Sequence, residues 1–112
     1  SWTMRGLIEE VGSPNLKVLL DPANILCYDD TGRPFEVLNE DIVLAHAKDC
    51  AVDEKGMPTF PPAGRGEVDW PLFIERLLDL GDVPLIIEYA NEENMGQVVD
   101  FLREQIADVE GV

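Results

Sequence analysis

Three short, nearly continuous apolar runs constrain this chain more than any other feature: LKVLL (16–20), IVLAHA (42–47) and VPLII (83–87). Each has the length of a strand, and a run of this kind is expected where a strand is buried on both faces, as in a parallel sheet. Amphipathic stretches surround them. Residues 3–11 place Met4, Leu7, Ile8 and Val11 on one helical face, with Ser1 or Thr3 as a cap and Gly12-Ser13-Pro14 as a stop. A short helical stretch, PFEVLNE, begins at Pro34. Residues 70–80 follow the N-cap Asp69, carry Pro71 in the first turn, direct Leu72, Phe73, Leu77 and Leu80 inward and end at Gly81. Asn94 caps a last helix over residues 95–107, with Val98, Phe101, Leu102 and Ile106 on its apolar side.

The order α-β-α-β-α-β-α implies parallel strands joined by right-handed crossovers. Two connections are long. Residues 21–34 read as a loop with a turn at Asp30-Thr31-Gly32, and residues 51–68 are dense in Pro and Gly. A connection as long as the second is usually functional or disordered. Three parallel strands leave two open edges and one uncovered face, and a closed (β/α)8 barrel takes about 250 residues. The chain has 112. Part of a barrel is therefore expected, with all 112 residues in one piece.

The 23 acidic residues outnumber the 8 basic ones, for a formal charge of −15. Such a surface repels phosphate backbones, so no nucleic-acid partner is expected. The acidity reads as solvated helix faces in preference to salt adaptation. No apolar run approaches the roughly 18–20 residues that span a bilayer, so no membrane association is expected. The start has no basic region leading into an apolar stretch, which makes the cytoplasm the default location. It also lacks an initiator Met, which fits a processed chain or an excised segment. Cys27 and Cys50 lie far apart with no Cys-x-x-Cys spacing, and are expected to be reduced thiols outside any metal site.

Each apolar run ends in a residue that can bind a metal: Asp21, His46 and Glu88. In a parallel barrel the C-terminal strand ends meet at one rim, where active sites sit. Two carboxylates and one imidazole converging there suit Mn²⁺, Mg²⁺ or Co²⁺. Singly, an acid after a strand is more often a loop cap and a lone His more often a hydrogen-bonded rim residue; the joint pattern raises the ligand reading of all three.

LLDPAN (19–24), LAHAKD (44–49), PPAGRGEVDW (61–70) and PLIIEY (84–89) stand in the order and spacing of the xylose isomerase-like sugar epimerases. The chain resembles the C-terminal part of that TIM-barrel family over nearly its whole length. The resemblance implies an α/β fold comprising strands six to eight of a (β/α)8 barrel with flanking helices. It implies a divalent-metal-dependent isomerase or epimerase acting on a sugar or sugar phosphate, by proton transfer beside a carbonyl through an enediolate. Of the four ligands such a site uses, Asp21, His46 and Glu88 match the last three; the strand-five Glu would precede Ser1. Glu88 then acts as a catalytic base as well as a ligand.

The substrate-side candidates are Asn24, Arg65, Lys48 and Asp49. Asn24 stands where many members carry a His, so a hydroxyl contact is implied there and not a proton relay. Arg65, in the Gly64-Arg65-Gly66 loop, can bind a hydroxyl, carboxylate or phosphate oxygen. Lys48 and Asp49 can pair with each other or touch substrate, and Trp70 reads as a helix anchor. The DNA-repair enzymes of the same superfamily need further His ligands, which Asn24 and the single His of this chain do not supply. Two alternatives remain open: a truncated, non-catalytic barrel module that self-associates as a homo-oligomer, and an inosose-dehydratase-like lyase on the same fold.

Overall fold

The computed structural model describes residues 1–26 and 29–111. Cys27 lies outside the described residues, so the expectation for its thiol rests on the sequence alone; Cys50 is buried. Helix α1 (Trp2–Val11) ends on Gly12 in the left-handed conformation (φ 61°), where a residue without Cβ carries no strain. Strand β1 (Val18–Leu20) is shorter than its apolar run. The stretch expected to be loop contains a one-turn helix, α2 (Pro22–Ile25), and a second helix, α3 (Arg33–Leu38), starts one residue before Pro34. The Asp21 side chain caps α2 and Pro22 opens it, a start signal too close to the strand end to read as such.

Strand β2 (Ile42–Ala47) coincides with the expected run. The long connection carries a small antiparallel hairpin, β3 (Ala51–Val52) with β4 (Pro58–Thr59). Helix α4 (Trp70–Leu80), strand β5 (Leu85–Ile87) and helix α5 (Met95–Glu110) complete the chain. Asp69 caps α4 by accepting from the Leu72 N–H at 3.2 Å. Asn94 stands at the N-cap of α5, but its side-chain oxygen accepts from Asn91 N–H and not from the helix.

The principal sheet has the order β1-β2-β5, all parallel. This is the expected α/β arrangement, a parallel sheet with flanking helices. Side chains alternate across it. Val18, Leu20, Ala45 and Ala47 are buried, while Leu19 and Ile86 are half-exposed on the other face. Among the described residues the strands are thus buried on one face and half-exposed on the other.

The covered face packs into one core with Phe35, Leu38, Phe73, Ile74, Leu77, Val98 and Leu102. Trp70 and Phe73 meet edge to face at 5.5 Å, and Trp70 meets Phe101 in the same manner at 5.9 Å. The inward face of α4 is therefore Trp70, Phe73, Ile74 and Leu77, with Leu72 and Leu80 at its margin. Helix α1 departs further from expectation. Only Ile8 is buried, and Met4, Leu7 and Val11 are exposed. Its apolar face borders an open groove of about 680 Å³ that runs from Met4 and Leu7 past Leu19 to Asp21 and Asn24. Among the described residues, no helix is long and apolar enough to cross a membrane.

Candidate metal centre

Alternation along the strands decides what faces the open side. Leu19 and Asp21 share a side of β1, His46 pairs in register with Ile86, and Glu88 lies two residues beyond Ile86. All three strand-end groups therefore project from the uncovered face at the same end of the sheet. Ligand atoms of Asp21, His46 and Glu88 lie within 4.8 Å of one another. His46 Nδ1 is 3.2 Å from Glu88 Oε2 and 3.9 Å from Asp21 Oδ2. Donor atoms about 2.1 Å from one ion stand roughly 3.0 Å apart when adjacent and 4.2 Å when opposite. Two carboxylate oxygens and one imidazole nitrogen this close together could hold a metal ion.

Asp21 is fixed from two sides. Its Oδ1 accepts from the N–H groups of Ala23 (3.0 Å) and Asn24 (3.2 Å), as the cap of α2. Its Oδ2 is turned toward His46 and lies 3.3 Å from Lys48 Nζ. The cap reading and the ligand reading of this residue are thus compatible, because each uses a different oxygen. Glu88 is the more open carboxylate, with 35% of its side chain exposed.

Of the four residues proposed on the substrate side, two join this cluster. Lys48 Nζ also donates to Asn24 Oδ1 at 3.2 Å, so both stand beside Asp21. Arg65 is directed elsewhere, donating to Gln97 on α5 at 2.7 Å. Asp49 corrects the expectation outright. It has no solvent exposure, and its carboxylate accepts from Cys50, Gly64, Gly66 and Val68 N–H and from Trp70 Nε1, all at 2.8–3.1 Å. A buried carboxylate satisfied by five donors is a fastener for residues 50–70 and has no face to offer a substrate. The period of two gives the reason, placing Lys48 on the side of His46 and Asp49 on the side of Ala47. Lys48 accordingly pairs with Asp21 and not with Asp49, and Trp70 is the anchor its position suggested.

Two residues of the site were not anticipated. The Phe60 ring lies 4.4 Å, and the Tyr89 ring 5.0 Å, from Lys48 Nζ, and the two rings are 5.4 Å apart. Tyr89 adopts a left-handed backbone (φ 57°), uncommon for a non-glycine residue and frequent at functional sites. Its position directly after Glu88 is a usable signal; Phe60 has none, because only folding of the long connection brings it near.

The sequence model of the xylose isomerase-like TIM barrel family matches residues 1–105. Among solved structures, the crystal structure of a xylose isomerase domain protein from Planctomyces limnophilus matches with a TM-score of 0.82 at 20% identity. The match covers 98% of this chain and 44% of that one. At that identity the likeness is one of fold, and this chain spans less than half the length of its neighbour. No curated protein sequence matches.

Proposed function

We propose, for a chain that belongs to the xylose isomerase-like TIM barrel family, that it carries most of the metal centre of a sugar or sugar-phosphate isomerase or epimerase. The observation that carries this reading is the convergence of Asp21, His46 and Glu88 at the C-terminal ends of three parallel strands. These three residues hold the divalent ion. An ion of this class held there would polarise a substrate carbonyl and so acidify the neighbouring C–H. Glu88, the more open carboxylate, takes that proton to give an enediolate. Returning it to the neighbouring carbon completes an isomerisation, whereas an epimerisation needs a second acid on the opposite face, the role the resemblance gives to the strand-five Glu. Asn24, beside Asp21, binds a substrate hydroxyl through its amide. Arg65, exposed and donating to Gln97, serves at the outer margin of the substrate.

A panel of ketoses and aldoses in D₂O, given to the polypeptide that carries this chain, tests the reading. Deuterium incorporation next to the carbonyl that EDTA abolishes supports it, and activity indifferent to chelation contradicts it. Loss of water from the substrate would redirect it to the dehydratase alternative. A second reading draws on the half-exposed Leu19, Val43 and Ile86 and the groove beside α1. In it, the chain as it stands is a non-catalytic module that associates with copies of itself. A strictly monomeric, folded species in light scattering counts against that reading.

A further inference from the structure

Lys48 is the one cation in contact with the centre among the described residues, and its surroundings leave it little freedom. Only 9% of its side chain is exposed. An ammonium has three hydrogens and no lone pair. Nζ donates one to Asn24 Oδ1 at 3.2 Å and forms an ion pair with Asp21 Oδ2 at 3.3 Å. The Phe60 and Tyr89 rings cover the remaining side at 4.4 and 5.0 Å, where the negative ring faces attract a cation. Little of the ammonium is left open to a substrate oxygen. A charge taken out of water this far needs compensation, and the carboxylate with two ring faces supplies it.

We propose that Lys48 is a positioning residue for Asp21, set in place by Phe60 and Tyr89, and not a substrate contact. The inference rests on the metal reading above. Helix α2 fixes Oδ1 of Asp21, and Lys48 fixes Oδ2, so the carboxylate can present its ligand oxygen in one direction only. The same ammonium links helix α2, which carries Asn24, to Phe60 after β4 and Tyr89 after β5.

Two effects of removing Lys48 have opposite signs, which makes the idea testable. As a bare charge, Lys48 repels a divalent ion, so its loss would tighten binding. As a clamp, its loss releases Asp21 and weakens binding; partners that orient metal ligands are typically worth about 10–100-fold in affinity. Mn²⁺ titrations of the wild-type chain, Lys48→Met and Lys48→Arg separate the two. The expected result is at least about a tenfold loss in Lys48→Met, partly restored in Lys48→Arg. Unchanged or tighter binding in Lys48→Met overturns the proposal.

A metal-free readout keeps this separate from the functional reading. The Ala23 and Asn24 amides, bonded to Asp21 Oδ1, are expected to exchange with solvent faster in Lys48→Met and, more weakly, in Phe60→Ala. The amides of α4 serve as the folding control. Unchanged exchange at Ala23 and Asn24 in both variants overturns the clamp even if the wild type binds no Mn²⁺, an outcome that would itself sink only the metal reading.

Discussion

Asp49 follows the end of β2 and Asp21 the end of β1, yet Asp49 is closed from solvent with five donors while Asp21 offers one oxygen to an open cluster. The same side-chain chemistry serves two purposes, decided by which face of the sheet it meets. On the covered face a carboxylate must be fully hydrogen-bonded, and Asp49 draws the backbone of a long connection around itself to achieve this. On the open face, Asp21 and Glu88 sit close to each other with His46 between them and Lys48 as the nearby cation. Two like charges held together without full compensation are a poor arrangement for stability and a good one for a divalent ion.

The difference can be broken most severely at Asp49. Asp49→Ala leaves four backbone N–H groups and the Trp70 indole N–H without their acceptor, at about 1–3 kcal/mol for each donor that stays buried and unpaired. A loss of about 3 kcal/mol or more in a urea titration is expected, and an unchanged midpoint would contradict the fastener role. Glu88→Gln should behave in the opposite manner. Its stability stays within about 0.5 kcal/mol of wild type, while Mn²⁺ affinity falls by more than about 100-fold by calorimetry, beyond what a supporting residue costs. Equal damage to stability from both substitutions would erase the distinction.

A smaller effect sharpens the Asp49 side. A Cβ on Gly66 would stand 2.3 Å from Asp49 Oδ1 and 2.5 Å from the Cys50 carbonyl oxygen. Gly66→Ala is therefore expected to cost about 1–3 kcal/mol by overpacking; a neutral result in thermal melts would show that the connection yields easily. The smallest effect concerns a third carboxylate, Asp41, which the side-chain hydrogen bonds of Arg5 and Lys17 hold below the ordinary value of 3.8. A depressed carboxylate stabilises the fold above the unfolded value and ceases to do so as pH falls through the folded one. Arg5→Ala should accordingly reduce stability at pH 6 and narrow the gap from wild type on titration below 3.8. A gap independent of pH would contradict this.

The fold was readable where local signals agree with one another. Helix α4 coincides with its expected range because Asp69, Pro71 and Gly81 mark both ends. Strand β2 does so because a whole apolar run is bounded by polar residues. Helix α2 was missed because four residues give no period to detect. The exposed face of α1 was missed because an amphipathic pattern says that a face is apolar, not what covers it. At the cluster, Asp21, His46 and Glu88 were legible as strand ends, whereas the Phe60 contact depends on a fold of residues 50–70 that Asp49 organises from the opposite side of the sheet.

The most direct test of the account is a Mn²⁺ titration of this chain by calorimetry, in parallel with His46→Ala. The account predicts one ion per chain, with binding lost in the variant and its melting temperature little changed. No binding by the wild type, or equal binding by His46→Ala, would contradict the assignment of Asp21, His46 and Glu88 as one metal centre.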